Sequence, residues 1–346
     1  YYRLVNNINF SDYTSLPTYN YIFSGKLDGN GLEISNLSVS APSNFNGQSF
    51  GLFAKIEKTS NSFTPTVKNL TIKPIEVYAN NVSFVGSLAG IVKDANIVNI
   101  NVESNNVIVQ GRNVVGGIVG LVYGNSNLIN LNSNVSVNSN YSNSEEISDG
   151  FNLFASYYDE NNNFVSNFEK VSYAGSICGI VDTDKTDDKN ERVRNVKVFG
   201  SAKSIASFAG LAFGLVCENS GVDNVSVEVS NNNYLNSNYA SGLVCGENRG
   251  YISRCQTSLS GTISQKLFRN KSKFIGGIVG FNNNGTIVNS ISAVNIIGTN
   301  DTISAGGVVG LSVGGAISSV VASCDVWSSK VVGGIVGFVA RRDMLE

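Results

Sequence analysis

The residues best placed for patterned chemistry are asparagines. A block of the form aliphatic, any residue, Asn, aliphatic recurs along the chain, as in Val67-Lys68-Asn69-Leu70, Ile97-Val98-Asn99-Ile100 and Val193-Arg194-Asn195-Val196. Asn holds the third place at Asn36, Asn69, Asn99, Asn130, Asn195, Asn224 and Asn289, while two further blocks carry Arg254 and Ser319 there. A side-chain amide both donates and accepts, so amides repeated at equal spacing can bond one to the next in a ladder. Asn also tolerates the left-handed backbone region. The first and fourth positions of each block fall on opposite strand parities, so both can face a core only if the chain bends at the third. The blocks therefore predict a corner, occupied by an amide that bonds to the amide one turn above and satisfies buried polar groups mutually.

Other chemistry is sparse. The chain contains no His, which removes Ser-His and Cys-His nucleophiles and a His zinc site. No acidic column recurs at the repeat spacing, and a single Trp, Trp327, leaves little for a sugar-stacking cleft. Neither a catalytic residue, a metal site nor a cofactor is expected; the rival reading is a β-helix that binds or cleaves acidic polysaccharide. The run Asp182 to Glu191 offers oxygen ligands of the kind Ca²⁺ takes. It lacks the glycine and spacing of a calcium loop, so it reads as a solvated loop. Five dispersed cysteines, Cys178, Cys217, Cys245, Cys255 and Cys324, read as small core residues or as one inter-coil disulfide.

The elements that must hold the amides follow from the spacing. Successive third positions lie about 30 residues apart, with one interval of 65 between Asn130 and Asn195. A unit that short cannot bury its own apolar face, so units must stack. A second block precedes each Asn block and is rich in glycine: Val114-Val115-Gly116-Gly117-Ile118-Val119-Gly120, Phe274 to Gly280 and Val331 to Gly337 are close copies, and Phe84 to Gly90 is a looser one. Short, β-branched segments punctuated by Gly are strands rather than helices. Stacked equivalent strands in one chain are parallel, and parallel crossovers are overwhelmingly right-handed. The expected fold is all-β, a right-handed parallel β-helix of about ten coils. Residues 1–22 are expected to cap it, 23–338 to form the helix, 138–172 to leave it as an excursion, and 339–346 to be a tail or the start of a further coil.

Composition agrees. Apolar residues make up 42% and charged residues 14%, enough for a continuous core and too little charge for disorder. A net charge of −2 gives no field to attract nucleic acid or an anionic membrane. No apolar run approaches the roughly 20 residues of a membrane helix.

The Gly-Gly-Ile-Val-Gly blocks, followed by the Gly-x-Ile-x-Asn pattern best seen from Gly276 through Asn289, resemble GLUG-motif repeats, and the likeness covers roughly residues 23 to 338. Such repeats occur in large secreted or cell-surface microbial proteins, including adhesin-like ones. The resemblance implies an extracellular or cell-surface stalk, display or adhesive role, with other protein chains and glycans as partners.

Three surfaces carry the functional expectations. Phe151, Phe154, Tyr157 and Tyr158 in the excursion are candidate contacts for a sugar or a partner protein. Both faces of the glycine-rich strands are apolar. A column with Tyr173, Phe208, Tyr239, Phe274 and Val331, together with Ile177, Leu243, Ile278, Val308 and Ile335, either points outward for lateral association or is turned inward by a glycine corner. Ten Asn-x-Ser/Thr sequons are present. Asn36, Asn69 and Asn224 should be occupied by the ladder, leaving Asn9, Asn81, Asn134, Asn140, Asn270, Asn284 and Asn300 as candidate glycosylation positions.

Overall fold

A computed structural model describes residues 1–12, 21–59, 63–104, 108–140, 171–184, 191–199, 203–230, 234–259, 267–270 and 272–341. Among the described residues the regular structure, apart from one short 3-10 turn at Phe10–Asp12, is β-strand, and the strands wind into a parallel β-solenoid of about eight turns. One representative turn runs Phe84–Gly86, Ala89–Lys93, Asn96–Val102, Ile108–Gly111, and then enters the next at Val114–Gly116. Each strand pairs in parallel with its equivalents one turn before and after: Ile97 with Val67 and Leu128, and Ala89 with Phe53 and Val119. One wall is a sheet of ten strands, from Ile22–Phe23 to Val336–Ala340.

The turn count is lower than expected, in part because the 65-residue interval holds one turn and not two. Asn195 donates directly to Asn130 at 3.0 Å, and Leu128 pairs with Val193, so these strands are immediate neighbours. Among the described residues, the strands on either side of the extra length are Ser136–Ser139 and Tyr173–Gly175. Residues 141–170 of the excursion lie outside the described residues, as do the central residues 185–190 of the charge run.

At the start, Tyr2–Arg3 pairs with Leu27–Asp28, and Ile8–Asn9 pairs with Ile34–Ser35. The expected cap is thus built from parallel rungs of a partial turn. At the other end the last strand extends to Ala340, two residues beyond the expected boundary.

The interior consists of two clusters that follow the axis. The larger contains Val67, Ile97, Leu128, Val193, Val222 and Ile252, each stacked over the last. The smaller contains Phe84, Val114, Tyr173, Phe208 and Phe274 with Ile91, Leu121, Ile180 and Leu215. The glycine-rich blocks make this second cluster. At Gly90 a Cβ would come within 2.6 Å of the Phe84 carbonyl oxygen, so two passes of backbone touch there and no side chain can intervene.

Both parities of these strands are consequently turned inward. Tyr173, Phe208, Tyr239 and Phe274 are buried, as are Ile177, Leu243, Ile278 and Val308. Only in the last turn do Val331 and Ile335 emerge, at 39% and 37% exposure. The outward stripe for lateral association is replaced by the glycine corner. The four cysteines 178, 217, 245 and 255 are buried and all five are free, so no inter-coil disulfide forms. Desolvation pushes the Cys178 and Cys255 thiols up to about 12, leaving them as packing groups.

Candidate functional site

The asparagine column is the most regular polar feature. All nine third positions, Arg254 and Ser319 included, have left-handed φ between 51° and 57°. This conformation makes the bend that keeps both flanking aliphatics inside, and it sends the third side chain out. Asn99, Asn130, Asn195, Asn224 and Asn289 are exposed and Asn69 is half-buried, so the ladder lies on the outside of the corner and not within the core. The expectation of a buried ladder is corrected by that geometry.

Its hydrogen bonds run in one direction. Nδ2 of Asn224 donates to Asn195 (2.8 Å), Asn195 to Asn130 (3.0 Å), Asn130 to Asn99 (2.8 Å) and Asn99 to Asn69 (2.9 Å). Asn69 in turn donates to the Asp28 carboxylate at 3.1 Å. A carboxylate only accepts, so Asp28 obliges Asn69 to present its NH₂ group, and each later amide follows suit. The polarised chain therefore has its positive end on an anion. At its other end the next corner position is Arg254, a cation. The anion thus caps one end of the amide chain, as it would cap a helix dipole, while the guanidinium of Arg254 turns to a carboxylate instead of the ladder. The backbone N–H of Asn30, the amide of Asn69, the hydroxyl of Tyr1 and the charge of Lys68 hold the Asp28 carboxyl down at about 2, against some desolvation. Arg254 forks onto Asp223, which also accepts from Ser253 Oγ at 2.6 Å. Burial alone would raise the Asp223 pKa, but these bonds outweigh it and lower the value.

Two of the expected ladder members stand apart. Asn36 does not stack on Asn69: its strand pairs with the later part of Thr66–Ala79, beside Lys73 and Pro74, and its amide donates to Asn9 and Ser11. Asn289 keeps the left-handed corner, but its column neighbours are Arg254 and Ser319, so no amide lies above or below it.

A second polar feature lies inside the protein. In the ten-strand wall, one column reads Ile91, Leu121, Ile180, Leu215, Glu247, Phe281, Leu311, Phe338. Glu247 is fully buried in this aliphatic and aromatic series. It accepts from Arg249 Nε (2.6 Å), Tyr173 Oη (3.1 Å) and Asn283 Nδ2 (3.1 Å). The adjoining column changes in the same turn, from Val92, Val122, Val181 and Val216 to Asn248, Asn282 and Ser312. Asn248 donates to Asn282 at 2.8 Å, a buried amide pair. Aligning Cys245-Gly246-Glu247-Asn248 under Phe213-Gly214-Leu215-Val216 would have marked both positions, because polar residues replace aliphatics at equivalent places. The cluster is a packed network whose acceptors are already filled.

Of the candidate glycosylation positions, Asn9, Asn81, Asn140, Asn284 and Asn300 are exposed and Asn134 is half-buried; the side chain of Asn270 lies outside the described residues. Asn81 donates to the Phe45 carbonyl at 3.0 Å, and Asn134 accepts from the Ser104 amide at 2.8 Å. Phe151, Phe154, Tyr157 and Tyr158 also lie outside the described residues. Among the described residues no group of three or more His, Cys, Asp or Glu side chains is placed to hold a metal ion, and no helix is long and apolar enough to cross a membrane.

Fold and columns together define a parallel β-solenoid with an outer amide ladder that starts on a carboxylate. No family model, no curated protein and no solved structure matches the chain.

Proposed function

We propose that the chain is a structural module of a secreted or cell-surface microbial protein, acting as a stalk or display scaffold and as an element of self-association or adhesion. The observation that carries this reading is the uninterrupted ten-strand wall, over which the same core columns continue from turn to turn. With strands about 4.8 Å apart, such a wall gives a rigid body about 45 Å long. The resemblance of the glycine and asparagine blocks to GLUG-motif repeats favours the same role. A non-enzymatic function fits a chain without His in which the one fully buried carboxylate among the described residues, Glu247, is spent on three structural partners.

Self-association is tested by light scattering over a wide concentration range. Growth of larger species with concentration is expected, and a chain that stays monomeric throughout ends that part of the proposal. Adhesion is tested by screening the chain, with and without residues 141–170, against glycans and extracellular proteins. Binding lost with the segment assigns adhesion to the excursion.

A polysaccharide-binding role is the second reading, favoured by one observation: an open hollow whose lining includes Arg3, Asp28, Asn30, Thr71 and Asn101 lies on the surface near the first turns.

A further inference from the structure

The two ends of the solenoid expose what the turns between them bury. Among the described residues, most of the large apolar side chains left in solvent lie in the first turn, as Tyr2 and Ile22 do, or in the last, as Val321, Trp327, Phe338 and Val339 do. Val339 is 70% exposed, although Val92, Val122 and Val181 of the same column are fully buried. The last edge is also unguarded. Its five strands, Ala316–Ser318, Val321–Ala322, Val326–Trp327, Val331–Gly333 and Val336–Ala340, contain no charged residue and no proline, the usual devices against pairing with another chain. Of the described strands of the first turn, Tyr2–Arg3, Ile8–Asn9 and Ile22–Phe23, one carries a charge. That charge, Arg3, falls in the column of Asp28 and Lys68, on the outward parity of its strand.

The two edges are in register with each other. Followed turn by turn, the column of Tyr2 ends at Ile317. The column of Ile8 ends at Ala322. Those of Ile22 and Phe23 end at Phe338 and Val339. Three strands of the first turn therefore match three of the last, in the same order along the chain and in the same direction. In this alignment Tyr2, Ile8 and Phe23 stand over the core, as Leu27, Ile34 and Ile56 do one turn later. A slip of one residue would turn each of them to the other face. The rings of Tyr2 and Phe23, 6.2 Å apart, form an apolar pair on this end.

We propose that the first turn of one copy docks on the last turn of another, extending the parallel solenoid head to tail. This deepens the self-association proposed above and rests on it, with a second copy as the partner and the rod ends as the contact. The joint repeats the turn-on-turn interface that already holds the protein together: the open backbone edges pair, and the apolar columns run on across it. A net charge of −2 sets little repulsion against it. The two surfaces differ, so every addition leaves one free end of each kind and the contact builds an open filament, not a closed dimer. Ten wall strands at about 4.8 Å give about 48 Å per copy.

The test is sedimentation velocity and negative-stain electron microscopy of the full chain over a wide concentration range, with Ile22→Lys and Val339→Lys alone and mixed. Both residues are more than half exposed, so each variant alters an end of the single chain and not its core. Circular dichroism and melting curves check the fold, and Tyr2→Lys or Phe338→Lys replaces a variant that does not fold. The wild type is expected to form rods of constant width that lengthen in steps of about 48 Å. Each variant alone should stay monomeric at concentrations about tenfold above those at which the wild type assembles. Mixed in equal amounts, the two should form a dimer and nothing larger, because each keeps the end that the other has lost. Assembly undiminished in both variants puts the contact on the side of the rod, which overturns end-on docking and leaves self-association standing. Dimers of either variant alone mean that like ends meet, and overturn it too, as does a mixture that stays monomeric while the wild type assembles. A wild type that is monomeric throughout ends both this proposal and the self-association reading.

Discussion

The two halves of the rod use amides in opposite ways. From Asp28 to Asn224 the outer corner carries a continuous hydrogen-bonded ladder, while the inner columns of the ten-strand wall are aliphatic. From Glu247 onward the outer ladder is broken by Arg254 and Ser319, and amides and a carboxylate enter the interior instead. The fold is the same in both, so neither ladder is required for stacking. Apolar columns and glycine contacts, common to both halves, hold the turns together. A buried network is costly unless fully satisfied, whereas water can stand in for a lost partner at an exposed corner.

That contrast can be broken most sharply at Glu247. Arg249→Leu leaves the buried carboxylate without its cation and should cost about 3–5 kcal/mol. The double variant Glu247→Leu/Arg249→Leu extends the aliphatic column of the first half and should recover most of the loss. Urea unfolding of both variants checks this, and a double variant no better than the single one would refute the equivalence of the halves. A smaller loss, about 1–3 kcal/mol, is expected for Asn282→Val, which strands the Asn248 amide. Replacing Asn248 and Asn282 together by Val restores the Val216 pattern, so their combined cost should be smaller than that of Asn282→Val alone.

The outer ladder should respond to backbone preference more than to lost amide bonds. Asn130→Ala is expected to cost about 1–2 kcal/mol because Ala disfavours the left-handed corner. Asn130→Gly should cost less despite removing the same amide. If Gly were as damaging as Ala in thermal melts, the amide bonds would be the larger contribution. The smallest effect concerns the ladder's charged end. Since the folded pKa of Asp28 lies below its unfolded value of about 3.9, its contribution is present above that pH and is lost as pH falls towards 2. Melting curves of the wild type and Asp28→Asn should therefore converge in this acid window.

Much of this was legible in the residues. Each quoted Asn block demanded a bend at its third position, and the bend appears even where the residue is Arg254 or Ser319. What escaped was the side of the chain on which the amides lie. The parity argument located the aliphatics inside but was silent on where the bent residue's own side chain goes. Asn36 was misplaced because its local pattern matches Asn69, while only the register of Glu33–Ser40 against Thr66–Ala79 reveals a different column. Glu247 was overlooked because a lone Glu between Gly246 and Asn248 resembles a turn residue until the columns are aligned.

By itself the sequence determined that the chain stacks in parallel turns of about 30 residues, because a short unit with apolar residues on both faces has no other way to bury them. Only the tertiary structure decided which turns are neighbours across the 65-residue interval, that both faces of the glycine strands turn inward, and which polar columns meet. Those outcomes depend on contacts between residues far apart in the chain, and a local pattern carries no information about which equivalent strand will lie beside it.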